Sequence, residues 1–388
     1  MRAKGSVFRR NARTQIPAHY FTCKEVFQAE QDRLFAKTWQ LFCLQTDLQS
    51  TNDFVSGEVA GRPVVVQRTG EKVSAFHNIC SHRYSPVQTE PCGNRPLRCP
   101  YHGWQYDGSG YPAAIPHNLQ FYPISVEEKR CLGLPRHELE SCGRLQFLRV
   151  GGGQQSLHDY LGEWATTFEQ ISNSFDDIYF QTRFDAQCNW KFLIHNLFDD
   201  IHAEFVHPSS SLDTSSYLST SWKFHPFDPA VEDISVDCSR RHADFNVEIT
   251  PEAIRSSEQL WQRWFPQRGW RPKGYFHSFI YPNVMLTSFL GFWFNIVHYR
   301  PISPDRTEIT MWLVPTRQTE GAERIQPNML HSLALSSLRI FNEDVQAVET
   351  SQVGMRASRA SGILGQREDK ILAFETAYMA LMKGVLPP

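Results

Sequence analysis

Apolar and polar positions alternate along this chain in two different rhythms, and the change of rhythm divides it. Between residues 24 and 39, Phe27, Leu34, Phe35 and Trp39 fall at helical spacing, so a helix is expected there. Short runs with strand character follow: Asp53–Val59, Arg62–Arg68, a Thr69-Gly70 turn, and Lys72–Phe76. Two loops rich in Cys, His, Pro and Gly interrupt the pattern before Arg144–Val150 closes a compact β region. Gly151-Gly152-Gly153 reads as a linker. Beyond it the pattern predicts helices near 156–170, 190–205, 251–265, 327–352 and 367–383. Long strands are expected at 178–187, 232–248, 276–288, 292–301 and 307–316. Strands first and a long helix late indicate an α+β fold with an antiparallel sheet gripping a helix. The expected division is an N-terminal helical segment over 1–38, a β domain over 39–150 and a second domain over 151–388.

Composition narrows the classes. The 388 residues suffice for two domains with real cores. The 39 basic and 41 acidic residues leave a net charge of −2, which argues against a nucleic-acid or membrane-surface partner. No apolar run reaches the roughly 18 residues of a membrane span. Met1–His19 carries Arg2, Lys4, Arg9, Arg10 and Arg13 without a signal-peptide core, and its lack of acidic residues also suits an organellar transit segment. A cytoplasmic chain is the expectation. Nine cysteines in a chain this long point to reduced thiols and a metal site rather than a disulfide framework.

The chemistry gathers in two places. Cys80-Ser81-His82 is followed, sixteen residues later, by Cys99-Pro100-Tyr101-His102. Two loops, each with one thiol and one imidazole, can hold a dinuclear iron–sulfur cluster, two thiolates on one iron and two imidazoles on the other. The same four residue types also suit tetrahedral zinc, although zinc sites usually pair like with like at closer spacing. Further on, Asp199 and His202 share a helical face, and Pro208 disfavours helix at His207, so the chain can bend and bring both imidazoles to one ion. A facial triad needs a carboxylate as well. Asp344 has Ile340, Phe341, Ala347 and Val348 around it on a helix, so it faces the core, where a metal or a buried salt bridge would hold it. Glu343, beside Arg339 and Gln346, reads as solvated. His195 lies on the face of Asp199 and His202 but about 10 Å from His202 along the axis, so it reads as a pocket or core histidine. Asn196, Phe198, Val206, Leu290 and Phe292 are further pocket candidates, and Arg240-Arg241-His242 is a weaker carboxylate attractor.

The loops Cys80-x-His82-Arg83 and Cys99-Pro100-Tyr101-His102-Gly103-Trp104 resemble the Rieske domain of ring-hydroxylating oxygenase α subunits. Asp199-x₂-His202-x₄-His207 resembles that family's catalytic-iron motif, and Glu343-Asp344-x₄-Glu349-x₂-Gln352 the segment carrying its carboxylate ligand. The resemblance covers most of residues 20–355, and His195 departs from it where Glu is common. It implies a Rieske [2Fe–2S] β domain followed by a helix-grip (START-like) catalytic domain. The implied cluster ligands are Cys80, His82, Cys99 and His102, and the implied Fe(II) ligands are His202, His207 and Asp344. Asp199 is implied as the bridge that carries an electron from a cluster histidine of a neighbouring subunit to His202. Electrons would come from NAD(P)H through a reductase, with or without a ferredoxin, and O2 would be the oxidant. A homotrimer follows from the path between subunits, with a small β subunit as the variant. The substrate expectation is an aromatic or other apolar ring, with N- or O-methyl and quaternary ammonium compounds as the alternative. A Rieske electron carrier with a ligand-binding domain is the competing class, and a colourless zinc-stabilised binding protein a third.

Overall fold

The structure, a computed structural model, describes residues 12–199, 201–207, 217–224, 243–249, 270, 272, 274–317, 324, 326–358, 360–365 and 368–383. It separates into two compact units. Gln31–Asp159 forms one; the described residues up to Glu30 join those from Tyr160 onward in the other. In chain order the first elements are β1 (Ala12–Arg13) and α1 (Lys24–Glu30), the latter continuing as a π turn over Gln31–Phe35. The expected helix over 24–39 therefore ends early, and Trp39 leads into a strand.

The 31–159 unit is built on a seven-stranded antiparallel sheet. Its strands are β2 (Gln40–Leu44), β3 (Asp53–Val59), β4 (Arg62–Thr69), β5 (Lys72–His77), β6 (Cys92–Asn94), β7 (Arg136–Cys142) and β8 (Leu145–Arg149), in spatial order β2-β8-β7-β5-β4-β3-β6. Two short helices, α2 (Asn118–Phe121) and α3 (Val126–Cys131), lie between β6 and β7. Val64, Val65 and Val66 are all fully buried because strand side chains alternate faces and both faces are covered here. Val65 joins Phe54, Phe76, Cys80, Cys99, Trp104 and Tyr106 in one core, and Val64 and Val66 join Ala75, Leu48 and Leu148 in another. The strands expected at 53–59, 62–68, 72–76 and 144–150 are present; β2, β6 and β7 were not foreseen. Their exposed or mixed sequences, such as Arg136–Cys142, lack a clean alternation.

α4 (Leu157–Leu161) runs across the boundary, and the second unit continues with α5 (Trp164–Asn173), β9 (Phe180–Ala186), α6 (Trp190–Phe198) and α7 (Ala203–Val206). The strands β10 (Tyr217–Phe224), β11 (Ala243–Ile249), β12 (Gly274–Ile280), β13 (Val284–Phe289), β14 (Trp293–Ser303) and β15 (Arg306–Pro315) follow. With β9 they form an antiparallel sheet in the order β10-β11-β12-β13-β14-β15-β9. The 32-residue helix α8 (Gln326–Ala357) packs on it, with Leu330 and Ala334 against Leu313. β16 (Ile363–Leu364) pairs with β1, and α9 (Asp369–Met382) ends the described chain.

Three expectations change. The run 276–288 is a hairpin turning at Tyr281–Asn283, and Pro282-Asn283 is the turn signal between the two strands that the reading as one strand passed over. The helix over 190–205 stops at Phe198 and resumes at Ala203, leaving Asp199–His202 in the break. Of the strand expected at 232–248 only 243–249 is a described strand, while the helix at 251–265, Arg240-Arg241-His242 and Cys238 lie outside the described residues. Among the described residues no helix is long and apolar enough to cross a membrane.

Candidate metal centres

In the 31–159 unit, the loop after β5 carries Cys80 and His82 and the loop after β6 carries Cys99 and His102. Tight backbone bonds hold both. Cys80 N donates to Ser85 O at 2.8 Å, Cys99 N to Trp104 O at 2.9 Å, and Gly103 N to Cys99 O at 3.0 Å. Gly103 sits at φ +73°, where any Cβ is strained and would also press on Pro116 at 3.2 Å, so glycine favours closure of the second loop. The His82 and His102 rings lie 4.4 Å apart edge to face, and His82 stacks on Trp104 at 5.0 Å. Cys80 and Cys99 are 1% and 2% exposed, and burial, with Cys99 nearby, pushes the Cys80 thiol up. The Tyr106 hydroxyl lies 3.2 Å from Cys80 Sγ and also accepts from Ser81 N.

Two buried sulfurs and two neighbouring imidazoles, with His82 Nδ1 buried and unbonded, are a donor set that fits an iron–sulfur cluster. The sulfurs need positive charge to ionise there, and a hydroxyl already points at one of them. Zinc-type pairing is disfavoured because each loop contributes one donor of each kind.

In the second unit, the break after α6 and the middle of α8 build the other centre. His202 Nε2 lies 3.2 Å and His207 Nε2 3.1 Å from the same atom, Asp344 Oδ1. Among the described residues this is the one group of three or more His, Cys, Asp or Glu side chains whose donor atoms converge within 4.8 Å. The helix break makes it possible, since α7 starts at Ala203 and ends at Val206, so that His202 and His207 flank it as its caps and both imidazoles turn toward α8. Each histidine is backed by a second carboxylate. Glu343 Oε2 lies 2.8 Å from His207 Nδ1, and Asp199 Oδ2 lies 3.6 Å from His202 Nδ1. Such partners orient a ligating imidazole and raise its basicity. Burial alone would lower the His202 imidazole, but the Asp199 and Asp344 carboxylates outweigh it and lift it to about 9. The negative field that favours that proton favours a divalent cation equally. The donor set therefore fits a facial-triad iron with open positions.

Asn196, one turn back on α6, donates to Asp344 Oδ1 at 2.9 Å and lies 3.3 Å from His202 Nε2. Phe198 is buried against Phe279 and Phe374. Val206 is half-buried on α7. His195 faces Glu375 at 3.5 Å instead of the metal donors. Leu290 and Phe292 are buried in the turn between β13 and β14. Glu343, read from the sequence as solvated beside Arg339, is 20% exposed, little more than Asp344 at 18%, and meets both His207, 136 positions away, and Arg339 at 3.7 Å.

Comparison with known proteins agrees with this geometry. The Rieske [2Fe-2S] domain family matches residues 38–126, and the ring hydroxylating alpha subunit (catalytic domain) family matches residues 176–384. The fold and its two centres are those of the Rieske-type oxygenases. The chain belongs to the family of ring-hydroxylating alpha subunits, whose cofactors are a [2Fe–2S] cluster and a non-haem iron. It is 31% identical over 214 residues to the 2-aminobenzenesulfonate 2,3-dioxygenase alpha subunit of an Alcaligenes species, a match covering 52% of each chain. With the chloroplastic choline monooxygenase of Spinacia oleracea it shares 22% identity over 354 residues, 87% of this chain and 71% of that one. The chain thus spans about half the length of the first relative and more of the second. Among solved structures, a Rhodococcus naphthalene 1,2-dioxygenase bound to indole has a TM-score of 0.73 at 19% identity, with 95% of each chain covered. The quaternary ammonium Rieske monooxygenase CntA with L-carnitine also scores 0.73, at 18% identity over 96% of this chain and 95% of that one.

Proposed function

We propose that the chain is the oxygenase component of a multicomponent system that hydroxylates an aromatic or other apolar ring compound. The observation carrying this reading is the convergence of His202, His207 and Asp344, each histidine with a carboxylate behind it. In this assignment Cys80, His82, Cys99 and His102 hold the cluster, and His202, His207 and Asp344 hold the iron. Together the two metals supply electrons and oxygen activation. The protein side chains do the rest. Asn196 steadies Asp344 through its amide, Glu343 fixes the tautomer and aim of His207, and Asp199 links His202 to the electron source. The buried Phe198–Phe279–Phe374 cluster excludes water from one side. No protein nucleophile is required.

The assignment carries further proposals. The Rieske module spans 39–150 and the catalytic module 151–388. A flavin or iron–sulfur reductase, with or without a ferredoxin, feeds the cluster from NAD(P)H. A cluster histidine of one subunit reaches Asp199 of the next in a trimer, α3 or α3β3.

A second reading has its own support. The choline monooxygenase match extends over most of the chain, so removal of a methyl group or oxidation at a quaternary ammonium carbon is the alternative. A single-turnover experiment separates the two. The protein is reduced chemically, freed of reductant, and exposed to O2 with a pool of arenes, aromatic acids and methylamines, and products are read by mass spectrometry. Ring dihydroxylation supports the first reading. One added oxygen on a ring also stays with the first, whereas oxygen at a carbon beside a quaternary nitrogen, or a lost methyl group with formaldehyde, moves the protein to the second. A full complement of cluster with no iron and no oxygen uptake would reduce it to an electron carrier.

A further inference from the structure

The sheet of the 31–159 unit serves the cluster loops with one face only. Val65 and Phe76 pack with Cys80 and Cys99, whereas Val64, Val66 and Leu148 pack with Leu48 on the other face. Where the 3₁₀ turn Gln45–Leu48 meets β4, β5, β7 and β8, a cleft of about 210 Å³ opens on that second face. Pockets for drug-sized ligands begin at roughly 300 Å³, so an occupant of this one is small.

Register decides what lines it. Arg68 on β4 lies opposite Val73 on β5, Leu139 on β7 opposite Leu148 on β8, and Ser141 opposite Gln146. Directly opposite residues point to the same face, as do residues two apart on one strand. Val73, Leu139 and Leu148 belong to the Leu48 core, so Arg68, Ser141 and Gln146 share their face. The cleft thus joins an aliphatic wall of Leu48, Val73 and Leu139 to a guanidinium, a carboxamide and a hydroxyl.

The protein leaves the two strongest of these groups available. Gln146 is 7% exposed, and its carboxamide makes no hydrogen bond within the described residues. A buried amide without a partner is costly, and the cleft is where a partner can reach it. Arg68 donates from Nε to Leu48 O at 2.5 Å, which fixes the guanidinium. Among the described residues no carboxylate pairs with its two terminal nitrogens. Glu140, also at the cleft, alternates to the opposite face of β7 and accepts from Leu157 N at 2.9 Å. Parallel N–H groups of a guanidinium match the two oxygens of a carboxylate.

We propose that this cleft binds a short aliphatic carboxylate, its oxygens on Arg68 and the Gln146 carboxamide and its hydrocarbon on Leu48, Val73 and Leu139. The site is separate from both metal centres. The sheet stands between it and the cluster loops, and its residues belong to a different compact unit from His202, His207 and Asp344. Its occupant is therefore a second ligand and not the compound that is oxidised, and the proposal does not depend on the oxygenase reading above.

The test is titration calorimetry on the full-length, metal-loaded protein with 3-methylbutanoate, its amide, the corresponding amine and acetate. The branched acid is expected to bind about tenfold or more tighter than the amide or the amine. It should also outbind acetate, which lacks the hydrocarbon. Arg68→Met should bring acid and amide to within roughly threefold of each other, and Gln146→Leu should weaken the acid several-fold. Cluster absorbance reports whether each variant is folded. Should either buried change fail there, Ser141→Asp decides, since it sets a repelling charge at the exposed rim and should weaken the acid to the level of the amide. Removing the mononuclear iron should leave binding of the acid unchanged. An acid that binds no tighter than its amide overturns the proposal. So does acid binding that survives Arg68→Met and Ser141→Asp, or that disappears with the iron, because the acid then sits elsewhere.

Discussion

Glu343 and Glu375 show how differently two buried or half-buried carboxylates can behave in one unit. Glu343 touches the His207 imidazole on the side away from Asp344. Replacing it by Gln keeps the shape but removes the charge that raises the basicity of His207. Iron affinity of Glu343→Gln should fall about 10–100-fold, read as iron retained against a chelator, with cluster absorbance unchanged. Parent-like retention would remove Glu343 from the site. Glu375 has no exposure, and burial pushes its carboxyl up to about 7. A carboxyl raised above its unfolded value holds its proton more tightly when folded, so its contribution to stability is lost as pH rises from about 4.5 to about 7. His195, which faces it, is pushed down by burial and Lys191 to about 3 and works in the opposite direction. The informative quantity is therefore a difference between proteins. Relative to the parent, Glu375→Gln should gain stability steadily from pH 4.5 to 7 and then level off, measured by urea unfolding across that range. A pH-independent gap would mean that the carboxyl titrates normally.

At the scale of elements, α6 matters most, because it carries Asn196 and aims the chain at Asp199. It is held from its start. Asn189 caps it by accepting from Lys191 N, and the same side chain donates to Pro304 O and Phe21 O. Lys191 is fully buried and pairs with Glu30 of α1 at 2.6 Å, and that carboxylate also accepts from Trp190 and Tyr378. Removing one member of a buried pair strands the other. Lys191→Met should cost about 3–5 kcal/mol, and adding Glu30→Gln, which removes the stranded charge but keeps an acceptor oxygen for Trp190 and Tyr378, should recover part of the loss. Urea unfolding followed by tryptophan fluorescence checks both, and a Lys191→Met variant as stable as the parent would show that the pair does not hold α6. The helix itself was legible from the apolar spacing after residue 190; the cap at Asn189 came only with the structure. Its end at Phe198 was not, because nothing in the local pattern opposes helix before Pro208. The break is set by Asp199, which turns its carboxylate back to cap Ile201 N at 2.7 Å and to face His202.

At the scale of the whole molecule, the two centres sit in two separate compact units, and catalysis requires electrons to reach the second. Asp199 is the proposed link. Asp199→Asn should retain both the cluster and the iron yet slow cluster oxidation by orders of magnitude after substrate and oxygen are added, followed by stopped-flow absorbance. Oxidation at the parent rate would refute the bridge. The assembled protein, rather than an isolated unit, is the proper sample, since the proposed path crosses between subunits.

The order of motifs along the chain determined the family, the two-domain plan and the candidate donors, because Cys-x-His loops and a His-x₄-His spacing are local signals that survive without knowledge of contacts. Glycine at 103 and proline at 208 belong to the same class of local information. The strands on either side of 281–283 are covered on both faces and so show no alternation, and the turn between them was legible only in Pro282-Asn283. Tertiary structure alone decided that Glu343 backs His207 and that His195 turns to Glu375. Each of those facts depends on sheet register or on contacts between residues far apart in sequence, and register is set by the packing of the whole sheet against α6, α8 and α9.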